Sequence, residues 1–148
     1  NYYQTHPSPL PLYIAGSGGP KYTELVITKL QKYGIKHQVK MLGMINDVLP
    51  YYKEAKALIV PSLFEGFGFI TAEAMFSGCL VIGNNVAGTK EQFDNGLELT
   101  GEEIALRYTT EAQLVQHLID VTNNPIEQYE PIRKLDPLGL SSITFIGP

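Results

Sequence analysis

The chain has 148 residues, of which 44% are hydrophobic and 18% are charged, and its formal net charge is −4. This composition predicts one globular domain with a sizeable core, and the lack of a basic stripe argues against a nucleic-acid partner. The single cysteine, Cys79, excludes an internal disulfide, and no apolar run approaches the ~18 residues of a membrane span. Residues 1–7 do not resemble a signal peptide, so we expect a cytoplasmic protein.

The first 60 residues alternate between short apolar runs that end in turns and stretches with helical spacing. Residues 1–9 form a lead-in that several prolines should keep extended. The predicted elements that follow are a strand at 12–15, a tight turn at 16–19, a helix over 20–33 with Gly34 as its cap, a strand at 39–42, a helix from Asn46 or Asp47 to about Lys56, and a strand at 57–60.

The second half continues the alternation. Thr110 and Gln113 have the spacing of a capping box and open the last predicted helix. The tail at 134–148 is apolar without a clean period, and we assign it no function. The elements between are a glycine-containing turn at 66–68, a helix from about Phe69, a strand at 80–83, a turn at 84–88, a short helix at 89–93 closed by 94–96, and a short strand within 104–108.

Short, continuously apolar strands that alternate with helices predict an α/β fold. We expect a Rossmann-like, doubly wound parallel sheet with helices on both faces, formed by residues 10–125. Ligands of such sheets bind beyond the carboxyl ends of the strands. The glycine-rich turns at 16–19, 66–68 and 83–88 each follow a predicted strand, so they should lie at that edge.

Several common chemistries do not fit the sequence. Gly16-Ser-Gly-Gly19 begins like a dinucleotide fingerprint, but Lys21 occupies the place of its third glycine, and no P-loop pattern is present. The three histidines are scattered and, with one cysteine, make no recognisable metal set. Cys79 lies directly before an apolar strand, where a packed core residue is expected rather than a nucleophile. Ser62 has neither a G-x-S-x-G frame nor an obvious base.

The stretch from Glu65 to Glu73 has the residues of a ligand site. Glu65 follows a buried strand, where a carboxylate is costly unless it lies at the rim or is paired. Gly66 and Gly68 allow the backbone to approach a ligand closely, and the predicted helix start directs free N–H groups to the same place. These features suit a phosphate and a hydroxyl-bearing group. The alternative is that Glu65 is only a turn residue and Glu73 only a partner of the helix dipole.

The stretch Pro61-Ser-Leu-Phe-Glu-Gly-Phe-Gly-Phe-Ile-Thr-Ala-Glu-Ala-Met75, followed by Ser77-Gly-Cys-Leu-Val-Ile-Gly83, resembles a known motif. It is similar to the E-x7-E region of retaining nucleotide-sugar glycosyltransferases of the GT-B fold. Residues 12–18 resemble an apolar strand and G-x-G turn of the family, and residues 39–43 resemble the strand that follows. Residues 84–91 resemble the loop behind the donor. The resemblance covers roughly residues 10–125.

The resemblance implies the C-terminal, donor-binding half of an enzyme that transfers a sugar from a UDP- or GDP-sugar with retention of configuration. It implies neither a metal ion nor another cofactor. Glu65 would be the catalytic carboxylate that faces the donor sugar, and Glu73 would bind the ribose hydroxyls. The other donor-binding residues that it implies are Gly16, Ser17, Met41, Leu42, Gly43, Met44, Gly66, Phe67, Gly68 and Phe69.

The chain also departs from the family pattern. The strand whose Arg and Lys usually hold the diphosphate has no counterpart before residue 10, and the N-terminal acceptor domain has none either. The family's proline is Leu80 here, and its second loop glycine is Ala87. We therefore expect this chain to be inactive alone, within a parent protein that could associate peripherally with a membrane. Two alternatives stay open: a sugar-nucleotide epimerase and a non-catalytic nucleotide-sugar-binding module.

Overall fold

The computed structural model describes residues 1–16 and 18–125, and these fall into two compact units that divide after Val48. Within the described residues, no helix is both long and apolar enough to cross a membrane. The tail at 134–148 lies outside them. The first unit contains α1 (Tyr2–Thr5), β1 (Leu12–Ala15), α2 (Gly19–Lys32), a 3-10 turn (Lys36–Gln38) and β2 (Val39–Gly43). The second contains α3 (Leu49–Glu54), β3 (Leu58–Val60), α4 (Phe69–Phe76), β4 (Val81–Asn84), α5 (Ala87–Thr100), β5 (Leu106–Tyr108) and α6 (Glu111–Asn123).

In the first unit, β1 and β2 pair in parallel, with Leu12 opposite Val39. The helix between them, α2, has Pro20 in its first turn, where the missing N–H removes no helical bond. Gly34 follows this helix with φ +70°, the left-handed conformation that its position as a helix cap requires. The predicted strand, helix and strand of this unit are thus confirmed.

The lead-in at residues 1–9 differs from its prediction, because residues 2–5 form the short helix α1 rather than extended chain. The prolines begin only at residue 7, so they do not oppose a helical turn before it. Two tyrosines then fix the turn to the following chain. The Tyr2 hydroxyl accepts the N–H of Leu10 at 2.8 Å, and the Tyr3 hydroxyl donates to the carbonyl of Leu10 at 3.0 Å.

In the second unit, β3, β4 and β5 form a parallel sheet with β4 at its centre. Every residue of β4 is buried. Ile82 packs in a cluster with Val121 of α6, whereas the neighbouring Gly83 faces α5: a Cβ there would lie 2.4 Å from the ring of Phe93. Since successive strand residues point to opposite faces, helices cover both faces of this sheet. The α/β, Rossmann-like prediction is confirmed.

The helix α5 is much longer than the predicted helix at 89–93, since it runs from Ala87 to Thr100. Asp94, Asn95 and Gly96, expected to close it, lie inside it. Gly96 is required by packing rather than by a turn, because a Cβ there would come within 2.0 Å of the Ile104 side chain. A glycine that makes room for a neighbour cannot be told from a glycine in a turn by sequence alone.

Other local predictions are confirmed. The Thr110 side chain accepts the N–H of Gln113, and the Gln113 side chain accepts the N–H of Thr110, so both halves of the capping box are formed. Cys79 is buried two residues before the start of β4. The short strand expected within 104–108 is β5.

Candidate donor site on the β3–α4 loop

The loop between β3 and α4 carries Glu65 at the carboxyl end of the sheet. Val60, the last residue of β3, is fully buried, and the chain leaves the sheet at Pro61. Glu65 is half-buried, and its Oε1 accepts the hydroxyl proton of Ser62 at 2.5 Å. Ser62 is itself held, because the Asn84 side chain at the end of β4 donates to its carbonyl at 3.1 Å. The carboxylate is therefore held at the rim of the sheet by Ser62 in the loop, which is itself held by Asn84 at the end of β4.

The turn that follows Glu65 ends in the N-cap of α4. Gly68 is buried and takes φ +71° and ψ +54°, a left-handed conformation that favours glycine, and Phe69 is the first helical residue. Gly66 faces open space, since a Cβ there would meet nothing within 4 Å. The first N–H groups of a helix have no acceptor inside the helix and attract anions. The start of α4 therefore has the geometry of an anion site beside a carboxylate.

Helix α5 holds this loop from the sheet side. The N–H of Gly88 donates to the carbonyl of Glu65 at 3.1 Å. The two backbones are so close that a Cβ on Gly88 would lie 1.5 Å from the carbonyl oxygen of Gly66. One turn further along α5, the amide of Gln92 donates to the carbonyls of Phe67 and Gly68, the latter at 3.2 Å. Three hydrogen bonds thus tie the loop to the single helix α5.

Glu73 lies on α4, and its side chain is exposed to solvent. It is also near Tyr52 of α3, a buried tyrosine. Burial raises the pKa of Tyr52, and the nearby Glu73 and Cys79 add to that effect.

The remaining predicted site residues belong to the first unit. Gly16 follows β1 with φ +112°, and its N–H donates to the carbonyl of Gly43 at 2.7 Å, so the ends of β1 and β2 lie side by side. Met41 and Leu42 are half-buried on β2, whereas Met44 is 74% exposed just beyond it. Ser17 lies outside the described residues.

The sequence pattern does not identify the residues that hold the loop. Ser62 lacks the frame of a nucleophile, and its three-residue separation from Glu65 is the signal that indicates a hydrogen bond. The prediction places Gly88 in a turn and Gln92 in a short helix. No local pattern marks Gln92, because its partners lie 24 and 25 residues away in the sequence. Within the described residues, no group of three or more His, Cys, Asp or Glu side chains could hold a metal ion.

This Rossmann-like architecture is similar to that of GT-B glycosyltransferases. The chain is similar to the lipopolysaccharide outer core galactosyltransferase WaaB in its apo form, with a TM-score of 0.66, 23% identity, and coverage of 83% of this chain and 34% of that one. It is also similar to WaaG, a glycosyltransferase involved in lipopolysaccharide biosynthesis, with a TM-score of 0.60, 19% identity, and coverage of 93% and 38%. These likenesses concern the fold.

Sequence comparison then gives the family. The model of the glycosyl transferases group 1 matches residues 3–124, and the chain belongs to this family. It is 40% identical over 83 residues to the uncharacterized glycosyltransferase MJ1607 of Methanocaldococcus jannaschii, which covers 54% of this chain. It is 30% identical over 84 residues to the serotype-specific mannosyltransferase WbdA of Escherichia coli, which covers 55%. The matches span 20% and 10% of the length of these two relatives.

Proposed function

We propose that this chain is the donor-binding domain of a retaining glycosyltransferase that uses a UDP- or GDP-sugar. The observation that carries the proposal is the β3–α4 loop. In it, a carboxylate fixed by Ser62 lies directly before a helix start that is capped by a left-handed glycine. Such a site can face a sugar and a diphosphate together. The group 1 family membership supports this assignment.

In this proposal Glu65 lies beside the anomeric carbon of the donor. Positive charge develops on the sugar as its bond to the diphosphate breaks, and a fixed carboxylate stabilises that charge in a partly desolvated site. Glu65 suits this role because its carboxylate and its backbone carbonyl are both held, by Ser62 and by Gly88. The open space at Gly66 leaves room for the sugar.

The diphosphate would bind at the start of α4, through the backbone of Gly66, Phe67, Gly68 and Phe69. Its negative charge grows as it leaves, and the positive end of the helix dipole favours that growth. No metal ion is required for this stabilisation. Glu73, exposed further along the same helix, would accept hydrogen bonds from the ribose hydroxyls.

The family resemblance assigns the nucleobase to backbone groups of residues 41–44, with Gly16 and Ser17 as further donor-binding residues, and this assignment stays a prediction. The acceptor would bind to a second α/β domain of the parent protein. The chemistry is then a group transfer in which the bond from the anomeric carbon to the diphosphate breaks and a bond to an acceptor hydroxyl oxygen forms. The acceptor proton passes to the leaving diphosphate, which remains on the same face of the sugar.

A binding titration tests the donor site. We expect the wild-type chain to bind UDP or GDP weakly but measurably by calorimetry, and Glu73→Ala to abolish that binding while leaving the melting temperature unchanged. ADP serves as the comparison for the base. If no nucleotide binds to the wild-type chain, the proposed donor site is wrong.

A transfer assay separates an enzyme from a binding module. In the full-length parent protein, Glu65→Ala should abolish sugar transfer and leave UDP or GDP binding in place, because Glu65 is proposed to face the sugar rather than the nucleotide. Turnover at the wild-type rate would contradict the catalytic role of Glu65. A product that is an isomerised nucleotide sugar rather than a transferred sugar would indicate an epimerase.

A further inference from the structure

Gln92 makes a contact that the family motif does not explain. It lies on α5, and its side-chain amide reaches across to two consecutive carbonyl oxygens of the loop, those of Phe67 and Gly68. Only the NH2 end of the amide can donate hydrogen bonds, so this end must face the two carbonyls. The Gly68 carbonyl also accepts the N–H of Thr71 at 3.0 Å, so Gln92 restrains the Phe67 peptide and reinforces the Gly68 peptide at the start of α4.

Fixing these carbonyls also fixes the N–H groups on the other side of the same peptides. The described chain contains no cis peptide bond, and in a planar trans peptide the C=O and N–H groups point in opposite directions. With both carbonyls directed to Gln92, the N–H groups of Gly68 and Phe69 point away from α5. These belong to the backbone at which the diphosphate is proposed to bind.

Packing alone does not account for a glutamine at this position. The Gln92 Oε1 is buried, and it has no hydrogen-bond partner within the described residues. A buried, unsatisfied oxygen destabilises a fold, and an apolar side chain of the same length would avoid it. What the glutamine provides and an apolar residue cannot is the pair of N–H donors.

We propose that Gln92 is a positioning residue for the diphosphate of the donor. It does not contact the ligand; it holds the Phe67 and Gly68 carbonyls so that the N–H groups of Gly68 and Phe69 converge on one anion. This inference rests on the proposed donor site, and it assigns to α5 a part in the affinity for the diphosphate. The left-handed φ of Gly68 contributes to this contact, since it brings the Gly68 carbonyl within reach of the Gln92 amide.

The test compares UDP with uridine, and GDP with guanosine, by NMR titration of the chain. The ratio of the two affinities isolates the diphosphate contribution. Gln92→Met keeps the length of the side chain and removes both donors, so this ratio should fall about tenfold while nucleoside affinity stays unchanged. Gln92→Glu keeps the shape but places acceptors against two carbonyls, and it should lower the ratio further.

The matched control is Gln116→Met, which makes the same change in an exposed amide on α6 that donates to Asp120 at 2.8 Å. It should leave the ratio unchanged. Melting temperatures measured on all variants separate positioning from stability, because a purely structural Gln92 would change stability and leave the ratio as it was.

The outcomes distinguish this inference from the donor site itself. If wild-type and Gln92→Met prefer UDP over uridine equally, the positioning role is wrong and the donor site stands. If the wild type binds UDP no better than uridine and GDP no better than guanosine, both are wrong. The wild-type spectrum alone gives a further test, because the preferred diphosphate, unlike its nucleoside, should shift the amide signals of Gly68 and Phe69. If these two amide signals do not shift, the proposal is overturned, even if the variants do not fold.

Discussion

Replacing Gly88 with alanine tests whether α5 determines the position of the carboxylate loop. The added Cβ would lie 1.5 Å from the carbonyl oxygen of Gly66 and 2.9 Å from that of Glu65. Both neighbours are backbone atoms, so no side chain can rotate away to make room. The loop must move outwards, and the hydrogen bond from the Gly88 N–H to the Glu65 carbonyl must lengthen.

The size of the effect follows from these two losses. Forcing a methyl group into a packed site costs about 1–3 kcal/mol, and weakening one backbone hydrogen bond costs about 0.5–1.5 kcal/mol. We therefore expect a loss of roughly 2–4 kcal/mol in the free energy of unfolding. At about 4 °C per kcal/mol, the melting temperature should fall by about 8–16 °C, as measured by circular dichroism or calorimetry.

Gly66 provides the matched control for stability, since it lies in the same loop and has no strained φ. A Cβ at Gly66 would meet nothing within 4 Å, so Gly66→Ala should change stability by less than about 0.5 kcal/mol. UDP or GDP affinity should fall in both variants, in Gly88→Ala because the loop is displaced and in Gly66→Ala because the methyl group occupies the ligand's space. A Gly88→Ala protein that melts at the wild-type temperature would refute the packing argument.

Two further substitutions on α5 have opposite expected effects. Ala87 has φ +45°, which costs a non-glycine residue about 1–2 kcal/mol, so Ala87→Gly should stabilise the chain by roughly 0.5–1 kcal/mol after the greater flexibility of the unfolded glycine is subtracted. A higher urea midpoint would confirm this, and an unchanged one would contradict it. Hydrogen bonds from Lys90 and Arg107 hold the pKa of the Asp94 carboxyl below its usual value. A carboxyl whose pKa is lower in the folded state stabilises the fold fully above its unfolded-state pKa, and this stabilisation is lost as the pH falls through the folded-state pKa. The difference in melting temperature between wild type and Asp94→Asn should therefore be constant above about pH 5 and shrink below about pH 4. The same difference at pH 3 and pH 7 would argue against the ion pairs.

The elements that the sequence predicts well are those whose cause is local. The strands β1, β2 and β4 are mostly apolar segments of four or five residues that end at or next to turn residues, so their positions follow from the local sequence. The capping box at Thr110 is formed by residues three apart. The start of α4 at Phe69 follows from two glycines and a run of helix-forming residues.

The elements that the sequence predicts poorly are those that depend on residues distant in the chain. The length of α5 could not be predicted, because Gly96 is explained only by the Ile104 side chain that packs against it. The helix α1 depends on hydroxyl contacts of Tyr2 and Tyr3 with Leu10. At the candidate site, the motif residues could be named from their pattern, but Gln92 could not, because nothing near it in sequence indicates where its amide points.

The contacts of α5 change how the glutamate motif is to be understood. The motif supplies the carboxylate of Glu65 and the glycine that starts α4, but these residues alone do not fix the direction of the peptides between them. Gly66 has no neighbour that would restrain a side chain, and Gly68 is a residue of high backbone freedom. The restraint comes in large part from α5: Gly88 donates to the carbonyl of Glu65, and Gln92 donates to those of Phe67 and Gly68. Within α4, the Thr71 N–H adds a second donor to the Gly68 carbonyl. A chain that keeps the motif but alters the facing side of α5 should therefore lose donor affinity, because the same loop would no longer present its N–H groups in one direction.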